Sequence, residues 1–159
     1  MNFNKGFKSG FTLLELLIVV AIIAILSAIV MVASGGSKSK GADGGIKAQL
    51  VFARSQAEVV FNTRTANMNS YTNVCTNGSV DGVNGIGGYV LNAAKIAGLS
   101  AYNINAAGSA ITATCNDSTS AYAVEVPLRS AGMWCIDWTG KSVSTAGSTL
   151  SGATDYTCN

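Results

Sequence analysis

The distribution of apolar side chains divides the chain into an N-terminal run and a more polar remainder. From residue 11 to residue 33 only Thr12, Glu15 and Ser27 are polar. At a rise of about 1.5 Å per residue, a helix over these positions would be about 35 Å long. That length is enough to cross a bilayer core of about 30 Å. The pattern therefore predicts one continuous transmembrane helix.

Helical periodicity resumes after a glycine-rich stretch, residues 34–45, which holds five glycines. Each glycine costs a helix about 1 kcal/mol relative to alanine, so this stretch is expected to be either a flexible linker or a frayed but extended helix. Beyond it, a second helix is predicted to end near Thr65. Arg54 and Glu58 lie off its apolar stripe and are expected to form a solvated face. The stripe consists of Ile46, Leu50, Ala53, Ala57, Val60 and Phe61.

The rest of the chain predicts a small sheet after an Asn- and Gly-rich loop that contains one short helix near residues 90–97. In residues 121–129, apolar side chains alternate with others, which is the period of a strand. With residues 109–115 and 132–144, this segment predicts an antiparallel meander of three or four strands. A short sheet must bury one face, and the apolar helix stripe is its natural partner. The predicted fold class is therefore α+β, with a long N-terminal helix packed through its C-terminal half on a small antiparallel sheet.

Charge and cysteine distribution indicate how the chain is oriented. Lys5 and Lys8 precede the apolar run and no acid does, so the positive-inside rule places the N-terminus in the cytoplasm and the remainder outside. Without these two lysines the basic and acidic side chains balance, and no nucleic-acid partner is predicted. Four cysteines without any histidine favour two disulfides over a zinc site. They are Cys75, Cys115, Cys135 and Cys158.

Glu15 is the anomaly in the apolar run. An acid at the centre of a membrane helix costs about 2.5 to 3.5 kcal/mol and usually marks function. An ordinary secretory signal does not fit, because its apolar core has only about 7 to 15 residues. A plain membrane anchor fits the length but leaves Glu15 unexplained.

The segment KSGFTLLELLIVVAIIAIL, residues 8–26, closely resembles the N-terminus of type IV pilins and pseudopilins. The resemblance implies that a prepilin peptidase cleaves after Gly10, that Phe11 becomes the N-methylated mature terminus, and that Glu15 is the family's acid at the fifth mature position. In a stack of helices, a neighbour's Phe11 amine would compensate the Glu15 charge and set the register. A monomer is expected to keep Glu15 unpaired, which would favour assembly.

The resemblance also implies a domain organisation. Residues 1–10 would be a cleaved leader, residues 11–33 a transmembrane and filament-core helix, residues 34–45 a flexible segment, and residues 46–159 an amphipathic helix plus globular head. Many pilins have a helix-breaking glycine and proline where this chain has Ala24 and Val32, so the first helix is expected to be unbroken.

A disulfide ties the C-terminal loop to the sheet in many pilins. The resemblance therefore favours Cys75–Cys115 and Cys135–Cys158. The alternative pairing joins Cys75 to Cys135 and Cys115 to Cys158.

The implied function is that of a structural, non-enzymatic subunit of a type IV pilus-like filament, with no cofactor and no metal. It would be held in the inner membrane with its head outside, then polymerised with other pilin subunits by an assembly platform into an extracellular pilus. Asp117, Asp137 and Asp155 are expected to be solvated turn residues rather than calcium ligands. The alternatives are a pseudopilin of a type II-like secretion system, a minor pilin that binds DNA or a surface receptor, and a simple membrane-anchored globular protein.

Overall fold

A computed structural model describes residues 10–66 and 68–159, without the side chains of residues 32–34. The chain forms two compact units that divide after Ser37. Most of the expected leader, including Lys5 and Lys8, lies outside the described residues.

The first helix, α1, extends without a break over Leu13–Thr63. It includes the glycine-rich stretch, so of the two alternatives for residues 34–45 the extended helix is the one present. Within the second unit, Asp43 offsets part of the cost of the glycines, because its buried carboxylate accepts hydrogen bonds from the backbone N–H groups of Arg129 (2.6 Å) and Ser130. The Ser130 hydroxyl donates to the same carboxylate. These contacts fasten this part of the helix to a turn of the head.

The remaining elements form a hairpin, a short helix and a five-stranded sheet. The hairpin pairs β1, Ser79–Val80, with β2, Val83–Asn84, and α2 covers Gly87–Ala97. The sheet has the order β3-β4-β5-β6-β7. Its strands are β3 (Tyr102–Ile104), β4 (Ala113–Asp117), β5 (Tyr122–Pro127), β6 (Met133–Asp137) and β7 (Ser142–Thr145).

The α+β class is confirmed, but the sheet is mixed rather than purely antiparallel. β3 pairs with β4 in parallel, whereas the other three pairs are antiparallel. The prediction missed β3 because its three residues, Tyr-Asn-Ile, are too few to show a period of two. The expected meander corresponds to β4 through β7.

The core lies between the apolar stripe of α1 and the sheet, as the sequence predicts. Ile46, Leu50 and Ala53 are fully buried in one cluster with Tyr122 and Val124 of β5. A helix with a single apolar stripe buries that stripe against its partner and leaves the opposite side in solvent. The C-terminal half of α1 is therefore part of the head.

The sheet is covered on both faces, which corrects the expectation of one buried face. All six residues of β5 are buried. Glu125, which alternation places opposite Val124, is fully buried and accepts hydrogen bonds from the hydroxyls of Ser148 (2.6 Å) and Thr149 (3.0 Å). The C-terminal segment that carries these hydroxyls also buries Leu150. This segment supplies the second cover of the sheet.

The prediction that Arg54 and Glu58 form a solvated face of α1 is also wrong in part. The Arg54 guanidinium donates to the Ser142 hydroxyl (2.9 Å) and to the Lys141 carbonyl, which joins the helix to the turn between β6 and β7. Glu58 is exposed but accepts a hydrogen bond from the Tyr71 hydroxyl (3.0 Å). Long side chains at the margin of a stripe can reach across it to backbone acceptors, which periodicity alone does not reveal.

Replacing Gly41 or Gly44 with alanine should stabilise the head by about 0.5 to 1 kcal/mol each, because both lie inside α1 with no atom within 4 Å of an added Cβ. Thermal or denaturant unfolding of the purified chain measures the change. Gly147→Ala is the matched control, since Gly147 has the same open space but lies outside any helix or strand. Equal effects at all three positions would contradict a helical 34–45 stretch.

The head should lose stability as pH rises from about 10 to about 12. Burial, and then the hydrogen bond to Glu58 and its charge, raise the pKa of Tyr71 from 10.0 to about 12. The folded protein therefore holds this proton more tightly than the unfolded chain, and the stabilisation is complete below pH 10 and lost through the folded pKa. Thermal unfolding between pH 8 and 12 measures it, and Tyr71→Phe should reduce the alkaline loss. A flat profile over that range would contradict the assignment.

Candidate functional site at the start of the helix

Thr12 and Glu15 form a capping box at the start of α1. The Glu15 backbone N–H donates to the Thr12 hydroxyl oxygen (3.2 Å), and the Thr12 backbone N–H donates to Glu15 Oε2 (3.0 Å). The Thr12 hydroxyl also donates to Oε2 (3.0 Å). This reciprocal arrangement satisfies backbone donors that the first turn of a helix leaves without partners. The signal was readable as Thr-x-x-Glu before an apolar run, but the sequence analysis did not use it.

The capping box gives Glu15 hydrogen-bond partners within the described chain. Two of these three hydrogen bonds use Glu15 Oε2, and no described residue donates to Oε1. Across residues 10–66 and 68–159, no cationic side chain forms an ion pair with this carboxylate. Within residues 10–66 and 68–159, Glu15 thus has hydrogen-bond partners, but its charge has no counter-ion.

Gly10 and Phe11 precede the helix and are exposed. No atom lies within 4 Å of a Cβ added at Gly10, and its φ is not in the left-handed region. The fold of the described chain therefore gives no reason for glycine at this position. A requirement for glycine would come from another molecule that acts on this segment.

The helix that follows has an exposed apolar surface. The 19 residues Leu13–Met31 are long and apolar enough to cross a membrane by length and composition, and none of them is buried. Apolar side chains surround this part of the helix on all sides, a pattern that requires burial in lipid or among other helices. The site therefore combines an exposed apolar helix with one acid near its start.

The two disulfides lie in the head. They join Cys75 to Cys115 and Cys135 to Cys158, with Cα atoms 5.7 Å apart in both. These are the pairs that the resemblance favours, and no cysteine is free. The second bond fastens the C-terminal segment to β6, where Cys135 lies.

Asp117 and Asp137 are buried, which corrects the expectation of solvated turn residues. Each follows a disulfide cysteine by two positions on the same strand, so its side chain lies on the same face as the cysteine. Asp117 Oδ2 accepts the N–H of Cys75 (2.9 Å), and Asp137 Oδ2 accepts the N–H of Cys158 (2.9 Å). Asp117 thus binds Cys75, the disulfide partner of Cys115. Asp137 binds Cys158, the disulfide partner of Cys135. Asp155 is half-buried and accepts from the Ser151 backbone N–H (3.0 Å) within its own turn.

The chain matches one family model, the prokaryotic N-terminal methylation motif, over residues 2–31. This match includes the capping box, the glycine before it and the whole exposed apolar helix. This motif is typical of the type IV pilin and pseudopilin family. No curated protein and no solved structure matches it significantly.

The general features of the site match what is typical of the pilin family. Proteins of this family are structural and not enzymatic. The methylation motif implies, in general, processing by a prepilin peptidase and assembly with pilin subunits. The apolar N-terminal helix fits a membrane-anchored prepilin, and the long helix on a mostly antiparallel sheet is a pilin-like fold.

Glu15→Ala should cause the first turn of α1 to fray. Glu15→Gln should not, because glutamine also serves at this position of a capping box. For a cap worth about 1 kcal/mol, we expect the Thr12 amide of the unprocessed chain to exchange about fivefold faster in Glu15→Ala. Hydrogen exchange followed by NMR in detergent micelles measures this. Equal exchange in the alanine and glutamine variants would contradict the capping role.

Proposed function

We propose that the chain is a structural subunit of a type IV pilus-like extracellular filament, cut after Gly10 and joined to its neighbours through the N-terminal helix. The observation that carries the proposal is an exposed apolar helix whose one acid, Glu15, has no counter-ion among the described residues of its own chain. Such a surface is stable either in lipid or in a bundle of like helices.

Cleavage after Gly10 would create the missing cation. The new terminus would be the amine of Phe11, which carries a positive charge at neutral pH. Glu15 Oε2 accepts hydrogen bonds from Thr12, but Oε1 accepts none within the described part of the chain. A carboxylate accepts several hydrogen bonds, so Glu15 can keep its capping box while Oε1 accepts from a neighbouring subunit's amine.

The energetics favour pairing inside the bundle. Two charges in an apolar environment are each costly, and breaking such a pair leaves an uncompensated charge that costs about 3 to 5 kcal/mol. If one helix slipped along its neighbour, the pair between Glu15 and the Phe11 amine would break. The apolar side chains would largely form new contacts with other apolar side chains. Glu15 would therefore determine the axial register of the subunits, and the apolar side chains would supply most of the association energy.

The head favours a surface filament over the alternatives of a secretion pseudopilin or a DNA-binding minor pilin. Both disulfides lie in the head, which fits exposure to an oxidising environment. The Arg129 guanidinium donates to the Ala97 carbonyl (3.1 Å), and Arg64 pairs with Asp81 (3.0 Å). Guanidinium groups that are engaged within the head are poorly placed to contact a nucleic-acid backbone.

Glu15→Gln should abolish filaments while the protein remains in the membrane, because it retains the capping box and removes the charge. Negative-stain imaging and quantification of material sheared from producing cells measure assembly. Thr12→Val is the matched control, since it removes the capping hydroxyl but keeps the Glu15 charge, and it should retain filaments. Normal filaments from Glu15→Gln would contradict a role for the charge in assembly.

A further inference from the structure

A cleft of about 400 Å³ lies on the head between the outer side of α1, the β1–β2 hairpin and the start of α2. This volume is within the range of small-ligand pockets, about 300 to 1,000 Å³. Its lining side chains are four neutral amides and one phenol ring, and none is an acid or a base. They are Gln56, Asn77, Asn84, Asn92 and Tyr89.

The amides offer hydrogen-bonding groups that the fold does not use. Gln56 Nε2 donates to the Asn84 carbonyl (2.6 Å), which fixes that side chain. The side chains of Asn77, Asn84 and Asn92 have no hydrogen bond to another described residue, and Asn77 and Asn92 are exposed. Each amide presents two donors and an oxygen acceptor. Such a set matches a ligand whose groups both donate and accept, as hydroxyls do.

Aromatic rings supply an apolar face at the same place. The Tyr89 ring lines the cleft, and the Phe52 ring lies 6.3 Å from it, centroid to centroid, at an angle of 33°. Phe52 is 57% exposed although it lies on a helix with a well-packed core side. Aromatic faces pack against apolar C–H surfaces while leaving polar groups to bond elsewhere.

The side of the cleft that contains Asn77 is held in place by backbone hydrogen bonds and a disulfide. The Ile86 N–H donates to the Val74 carbonyl (2.7 Å), and the Gly87 N–H donates to the Thr76 carbonyl (3.0 Å). Residues 74–76 and 85–87 are so close that a Cβ added at Gly85 would lie 2.6 Å from the Thr76 carbonyl oxygen. The Cys75–Cys115 disulfide fixes the same wall to β4. A site with fixed walls loses little entropy when it binds a ligand.

We propose that this cleft binds an uncharged carbohydrate of one or two rings. The amides pair with its hydroxyls, and the Tyr89 ring packs on a C–H face of the sugar. An anionic ligand would leave its charge without a cationic partner, since the lining contains none. This site is independent of the Glu15-dependent assembly, and it assigns a use to the Asn- and Gly-rich segment before α2.

Saturation-transfer NMR tests the proposal on the full-length protein in lauryldimethylamine oxide, a detergent without a sugar group. The probes are glucose, galactose, N-acetylglucosamine and lactose. We expect at least one of them to bind with a Kd below about 10 mM. The double variant Asn77→Ala/Asn92→Ala should weaken this binding about tenfold or more, because it removes two hydrogen-bonding groups that have no partner among the described residues.

Asn103→Ala is the matched control, since Asn103 is also an exposed amide but lies on β3, outside the cleft. It should bind as the unaltered protein does, and equal thermal unfolding midpoints would show that the variants are folded. No binding of any probe up to about 10 mM would overturn the proposal. So would binding that the double variant retains, or binding confined to sialylated sugars or to peptides tested in parallel.

Discussion

One helix has to serve two environments, and the pattern of its apolar residues decides which part serves which. Over Leu13–Met31 the apolar side chains surround the helix, and none of these residues is buried. From Ile46 onward they form one stripe, which is buried against the sheet. A stripe is satisfied by a single globular partner, whereas a fully apolar helix requires lipid or other helices. The fold of the head and the need for association both follow from this change along α1.

The head compensates locally for features that would otherwise weaken it. Asp43 fastens a glycine-rich part of α1 to the turn after β5, and its carboxylate is buried with backbone donors. Asp117 and Asp137 hold the loop cysteines of the two disulfides in the same way. In each case an acid satisfies backbone N–H groups that would be costly to bury without partners. Asp117 and Asp137, which the sequence suggested were solvated, thus organise the loops around a thin core.

The elements that the sequence predicted well are those with a long and regular pattern. The stripe from Ile46 to Val60 and the alternation in β5 correctly indicated a helix packed on a sheet. The short parallel strand β3 was not predicted, because its pairing with β4, rather than its own residue pattern, makes it a strand. The burial of Glu125 was not predicted for a similar reason, since Ser148 and Thr149, which donate hydrogen bonds to its carboxylate, are distant in sequence. At the N-terminal site, the resemblance identified the acid, but only the geometry showed that Thr12 already occupies one of its oxygens.

The proposed assembly depends on a new terminus at Phe11, because cleavage after Gly10 would create the positive charge that pairs with Glu15. Intact-protein mass spectrometry of filaments sheared from producing cells tests this most directly. The account predicts the mass of residues 11–159 with one added methyl group and four fewer hydrogens, as two disulfides require. A mass that still includes residues 1–10 in assembled filaments would contradict it, since that subunit would have no Phe11 amine to pair with Glu15.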